Sequence, residues 1–227
     1  MSHIALISGS PTAPSRSAHL LDRVEASLAR QRIETRRVDV RALPASALLL
    51  AQHRDPTIAA AVADVESADA IVIATPVYKA SFSGLLKVFL DLLSQDALHG
   101  KIVLPIATGG SLAHLLSLDY ALRPVLSALG ARHATSNVFA VDGQLPKGAD
   151  GRYSIDDVLA ERLDDAVREL TRTLSDRAEL LAHRASAQAR QARALETARP
   201  TQRPANATAR ASHVGESDHC GTGALSH

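Results

Sequence analysis

Three segments of this chain are almost unbroken apolar runs: residues 3–8 (HIALIS), 69–74 (DAIVIA) and 101–107 (KIVLPIA). Runs of that kind predict parallel strands covered on both faces. Two weaker segments, residues 34–40 and 135–141, complete a set of about five strands, the first alternating in places as an edge strand does. Pro105 removes a ladder donor from the third run and predicts a bulge or an unpaired position there. Apolar residues at helical spacing fall between these runs, over residues 18–30, 57–66, 85–93, 112–129 and 155–174. Alternating strand and helix patterns with short connections predict one parallel sheet in a doubly wound α/β sandwich. A count near five favours the flavodoxin-like order 2-1-3-4-5.

Beyond about Asp176 the pattern stops. Ala, Arg, Gln, Ser, Thr and His dominate there, so residues 1–176 read as the folded domain and residues 177–227 as a disordered, low-complexity tail. Formal net charge is +1, from 25 Lys and Arg against 24 Asp and Glu, so no global field draws the chain onto nucleic acid or an anionic membrane. The single cysteine, Cys220, lies in the tail and allows no intramolecular disulfide; His213, His219 and His227 beside it read as part of a polar tail rather than a metal site. The chain enters its first strand directly after Met1-Ser2, without the basic start and apolar run of a signal peptide, and no run reaches the ~18 residues of a membrane span. A cytoplasmic protein is expected.

Candidate chemistry collects where strands end, since ligands of open α/β sheets bind at the carboxyl edge. Residues 75–84 (TPVYKASFSG) follow the second run as a loop in which Pro76 and Gly84 shape backbone, Tyr78 offers a π face, and Lys79 with two serines can meet ring edges or phosphate. A flat heteroaromatic cofactor fits that composition better than a metal or a peptide. The first strand-to-helix turn, residues 9–17 (GSPTAPSRS), lacks both the G-x-G-x-x-G and G-K-[ST] spacings. It offers instead Ser10, Ser15, Arg16 and Ser17 at a helix start, either a cradle for a phosphomonoester or a helix cap by Ser17 beside a solvated arginine. The third turn, residues 108–114 (TGGSLAH), has Gly109 and Gly110, which serve either close backbone approach to a ligand or a tight turn, and His114, either a ligand contact or a surface or core histidine. In the order 2-1-3-4-5 these three turns converge. Tyr120 lies in an apolar helix interrupted by Pro124, which makes a π-bulge conceivable. The chain carries no G-x-S-x-G or H-E-x-x-H motif, and residues 142–154 read as a long exposed loop.

At these turns the sequence resembles the NAD(P)H-dependent FMN reductases of the SsuE type, the reductase partners of two-component alkanesulfonate monooxygenases. The matching segments are G-S-P with S-R-S in residues 9–17, ATPVYKASFSGLLK in residues 74–87, and LPIATGGSLAHLLSLDYALRPVL in residues 104–126. The resemblance implies a flavodoxin-like fold, a homotetramer, hydride transfer from a stacked nicotinamide to FMN, and release of reduced flavin to a monooxygenase. It implies that Ser10, Ser15, Arg16 and Ser17 hold the phosphate, that Pro76, Val77, Tyr78 and Lys79 line the isoalloxazine, and that Thr108, Gly109, Gly110 and Ser111 meet its pyrimidine edge or the reductant. It also implies that Tyr120 creates a π-helix at the tetramer interface and tunes flavin retention. The alternatives are a reductase that keeps its flavin and reduces quinones or azo compounds, and a flavodoxin-like electron carrier, which the nearly neutral charge disfavours.

Overall fold

The computed structural model describes residues 3–198. In chain order its first half comprises β1 (His3–Ser8), α1 (Arg16–Arg30), β2 (Glu34–Asp39), α2 (Ala45–Leu49), α3 (Pro56–Glu66) and β3 (Ala70–Tyr78). The second half comprises β4 (Ser81–Phe82), α4 (Gly84–Leu90), β5 (Ile102–Gly109), α5 (Arg123–Ala128), β6 (His133–Ala134), β7 (Val138–Val141) and α6 (Asp157–Ala198).

Strand alternation divides the apolar runs between two cores. Ile4 and Leu6 of β1, Val72 of β3 and Leu104 of β5 face α1 and α6, where Leu20, Leu21, Val24 and Leu28 meet Leu159, Leu163, Val167 and Leu170. Ala5, Ile7, Ile71, Ile73 and Val103 face the opposite layer, built on Ile58 and Val65 of α3, Leu86 and Phe89 of α4 and Leu126 of α5. Because both faces are covered, the strands carry no polar alternation. Exceptions lie at the sheet's edges: β2 exposes Glu34 and Arg36, and the two-residue β6 is exposed throughout. The short helix α2, too brief to leave a periodic signature, adds Ala47 and Leu48 to the second core.

The sheet runs β2-β1-β3-β5, and its last position is shared by β6 and β7, both parallel to β5. This is the flavodoxin-like order with the fifth strand in two pieces. The break lies beside Pro105. Between the pairs Val103↔Ala134 and Ile106↔Val138, β5 advances three residues and its neighbour advances four. One extra residue is therefore bulged opposite a proline that has no N–H to donate.

Three other expectations change. The segment after Ala74 is not all loop: β3 runs on to Tyr78 and turns through Lys79 and Ala80 into β4, giving the antiparallel pairs Val77↔Phe82 and Tyr78↔Ser81. Lys79 and Ala80 both have positive φ, 49° and 63°, as a two-residue hairpin turn requires. The long helix expected over residues 112–129 is instead a 3₁₀ turn (Leu112–His114), a π-helical turn (Leu118–Leu122) and α5. Pro124 sits in the first turn of α5, where a missing N–H is tolerated. Finally, α6 passes through Asp176 to Ala198, and the chain divides into compact units at His183 and Arg184, not at 176. Loss of the apolar stripe after Leu170 and Leu174 ends burial, while Ala, Leu, Glu, Gln and Arg sustain helix by propensity alone. The remainder of the expected tail, with its cysteine and last three histidines, lies outside the described residues. No helix among the described residues is long and apolar enough to cross a membrane.

Candidate active site

The first turn is fixed to the third strand before any ligand enters. Gly9 N–H donates to the Ala74 carbonyl over 2.8 Å, and the Gly9 carbonyl accepts a short hydrogen bond from Ser83 Oγ. Ser83 is also the N-cap of α4, accepting from Leu86 N–H at 3.1 Å, while its own N–H donates to Thr75 Oγ1 at 3.1 Å. Glycine is required at position 9 by contact: a Cβ there would stand 2.9 Å from Leu86 Cβ and 3.3 Å from the Ala74 oxygen.

Beyond Gly9 the turn presents hydroxyls. Ser10 is buried, and its Oγ accepts from Thr12 N–H at 3.3 Å. Ser15, and not Ser17, caps α1, accepting from Ala18 N–H at 3.4 Å. Ser17 is fully buried behind it, with its Oγ 3.0 Å from Ser15 Oγ. Arg16 is not simply solvated. Its Nε donates to the Leu145 carbonyl at 3.2 Å, its guanidinium stands 3.5 Å from the Asp142 carboxylate, and the group lies 5.2 Å from the Tyr153 ring centroid. The segment after β7 thus holds the one cation of the turn in a set direction.

All three predicted turns meet at one cavity of about 160 Å³. Ser10, Ser15 and Arg16 line it from the first turn; Pro76, Val77 and Tyr78 from the end of β3; Thr108, Gly109 and Gly110 from the end of β5. Ser17, Lys79, Ser111 and His114 do not line it. Lys79 stands at the hairpin turn, and Ser111 caps the 3₁₀ turn by accepting from Ala113 N–H at 3.2 Å. His114 turns its Nδ1 inward, buried without a hydrogen-bond partner and 3.6 Å from where a Gly109 Cβ would be. The Phe139 ring would meet that same Cβ at 3.0 Å, so Gly109 is demanded by packing behind the turn, and its φ is not in the left-handed region. Tyr120 is 79% exposed on the π-helical turn, away from the cavity lining.

Four lining residues escaped the sequence reading: Thr12, Pro14, Asp142 and Tyr153. Thr12 and Pro14 lie within the predicted turn. Asp142 and Tyr153 come from the loop before α6, where a lone aromatic in a polar, glycine-rich stretch was the available signal. The arrangement offers hydroxyls and a guanidinium at one end and Pro76, Val77 and Tyr78 at the other. That donor set fits a phosphate joined to a flat ring system.

Comparison with known proteins agrees. Residues 2–145 match the family model described as NADPH-dependent FMN reductase. An FMN reductase (NADPH) of Pseudomonas putida is 46% identical over 165 residues, covering 72% of this chain and 84% of that protein. One of Escherichia coli with the same description is 44% identical over 142 residues, covering 63% and 74%. The solved apo structure of the NADH:FMN oxidoreductase EMOB superimposes with a TM-score of 0.68 at 42% identity, covering 75% of this chain and 88% of that one. Sequence, fold and cavity together place the chain in the NADPH-dependent FMN reductase family.

Proposed function

We propose that the cavity seats FMN with its phosphate against Ser10, Ser15 and Arg16, its ring against Pro76, Val77 and Tyr78, and its pyrimidine edge toward Thr108, Gly109 and Gly110. The protein is an NAD(P)H:FMN oxidoreductase, and this is where its flavin binds. The observation that carries the reading is the convergence of three separate strand-end turns on one space, with the only arginine of the first turn pre-oriented by Leu145 and Asp142. When bound, FMN supplies the acceptor for a hydride carried by the nicotinamide dinucleotide. The chain's own part is position and charge. Ser10 and Ser15 offer hydroxyl donors, and Ser17 supports Ser15 from behind. Arg16, whose pairing with partly exposed Asp142 is weak, can transfer its charge to an incoming phosphate.

At about 160 Å³ the cavity is smaller than the ~300–1,000 Å³ of sites that bury most of a ligand, so it grips part of the flavin and leaves the rest open. Partial grip supports exchange: reduced FMN leaves for a partner monooxygenase of the alkanesulfonate type. Leu112, Leu116 and Tyr120 are 66%, 56% and 79% exposed around the π-helical turn, which supports homotetramer assembly through that surface. Sedimentation of the wild type as a monomer would remove the tetramer.

The test of the flavin site compares FMN with riboflavin, which lacks the phosphate. Arg16→Ala should weaken FMN about tenfold or more, the scale of a lost charge-assisted hydrogen bond, and leave riboflavin unchanged. Equal losses for both would remove the phosphate assignment. Protein that is colourless after dialysis yet oxidises NADPH or NADH on FMN addition is the expected result; persistent yellow protein would favour a flavin-retaining reductase.

A further inference from the structure

The cavity assigned to the flavin is lined by no net charge, although a phosphate is to enter it. Among its described lining residues Arg16 is the one cation and Asp142 the one carboxylate. The two stand 3.5 Å apart, and Asp142 Oδ2 also lies 3.9 Å from where a Gly110 Cβ would be, so the carboxylate reaches from the first turn toward the third. A flavin phosphate carries up to about two negative charges, and a carboxylate facing it acts against binding. We propose that Asp142 sets how fast FMN leaves: it pairs with Arg16 while the cavity is empty and repels the phosphate once the cavity is filled. The inference rests on the flavin placement above and gives flavin exchange a cause.

The fold around Asp142 does not need its charge. Its turn is closed by backbone, Leu145 N–H donating to the Asp142 carbonyl at 3.1 Å, and by Gln144 Oε1, which accepts from Val141 N–H at 3.3 Å. The Asp142 side chain is 46% exposed, so its pairing with Arg16 adds little stability. Arg16 keeps its direction without that pairing. Its Nε donates to the Leu145 carbonyl, and its guanidinium lies 5.2 Å from the centroid of the Tyr153 ring, which the Lys147 ammonium also approaches at 5.9 Å. Removing the carboxylate therefore leaves the arginine aimed and takes away the repulsion, so the net effect on a phosphate is attraction. A cradle built for retention would set a neutral donor where Asp142 stands. The effect acts on the phosphate and not on the ring, because Pro76, Val77 and Tyr78 present no charge at the other end of the cavity.

The full-length protein, freed of flavin, is titrated with FMN and with riboflavin, and FMN dissociation is followed by stopped-flow flavin fluorescence, in the wild type, Asp142→Asn and Asp142→Glu. Asp142→Asn keeps the shape and removes the charge. It should bind FMN about tenfold more tightly, chiefly through slower dissociation, and hold riboflavin within about twofold of the wild type. Asp142→Glu restores a carboxylate and should release FMN as the wild type does. The gain in Asp142→Asn should shrink as salt is raised, since the site is half open to solvent. Unchanged or weaker FMN binding in Asp142→Asn, a gain that salt does not alter, or equal tightening of riboflavin, which marks relieved crowding and not relieved charge, would each overturn the proposal. Failure of the wild type to bind FMN would remove the underlying flavin placement as well; normal FMN binding with an unchanged dissociation rate in Asp142→Asn removes this inference alone.

Discussion

Asn137 Nδ2 donates to Asp119 Oδ1 over 2.9 Å, and this one bond joins the two irregular places in the fold. Asn137 belongs to the break between β6 and β7, opposite Pro105; Asp119 belongs to the π-helical turn that carries Tyr120. Asp119 is also 3.2 Å from Arg123 Nε, so it keeps a partner when Asn137 is removed. Asn137→Ala should therefore cost only about 1 kcal/mol. Asn137→Asp should cost more, about 2 kcal/mol, because an acceptor then faces an acceptor and two carboxylates meet at a partly buried site. Urea denaturation of the two variants gives the comparison, and equal losses would show that the bond links nothing of consequence.

Gly9 tests how tightly the first turn is coupled to α4. A methyl at position 9 meets Leu86 Cβ at 2.9 Å, and neither a buried Cβ nor the Ala74 carbonyl can swing aside as a flexible side-chain tip would. Gly9→Ala should lower stability by about 1–3 kcal/mol, the usual range for overpacking. It should also weaken FMN, since Ser10 follows directly and lines the cavity. Thermal denaturation and a flavin titration on the same preparation separate the two effects; loss of stability with unchanged FMN affinity would uncouple turn position from binding.

The same particulars show what the sequence could disclose. Pro105 announced its bulge because a missing N–H is a local property of one residue. The three strand-end turns were legible because buried strands leave continuous apolar runs that stop abruptly. The β3–β4 hairpin was hidden, since Lys79-Ala80 lacks the Asn-Gly signature of its turn type. Tyr153 and Asp142 were hidden for another reason: they reach the site only through the packing of a loop some 130 residues away against α1, as in the Arg16 to Leu145 hydrogen bond. The alternative of a cap by Ser17 stood beside the phosphate cradle because Ser15 lies only two residues earlier and either spacing fits a helix start; the cap is Ser15.

That hairpin offers a stabilising change. Ala80 holds φ at 63°, a conformation costing a residue with a Cβ roughly 1 kcal/mol that glycine does not incur. Ala80→Gly should raise the unfolding midpoint by that order. Ala80 lines no part of the flavin cavity, so FMN reduction should be unchanged. A lower midpoint would mean that the added freedom of the unfolded chain outweighs the relieved strain.

Lys101 sets a pH dependence at the opposite end of the sheet. Its ammonium is almost wholly buried and donates to the carbonyls of Glu66 and Ala68, each at 2.6 Å. Burial pushes its pKa below the ordinary 10.5, against the opposing pull of Asp69 and Glu66. The folded state therefore releases this proton at lower pH than the unfolded chain does. Between the depressed value and 10.5 the unfolded state holds more protons, so this group's contribution to stability must rise with pH across that window. Below the window both states are charged and the burial penalty is present in full. Neutral lysine still donates to both carbonyls, whereas Lys101→Met leaves them without that donor. The stability of the wild type relative to Lys101→Met should accordingly increase as pH is raised toward 10.5. Urea midpoints for the pair at successive alkaline pH values measure this difference, and a gap that stays constant or narrows would show that the folded chain does not depress the lysine.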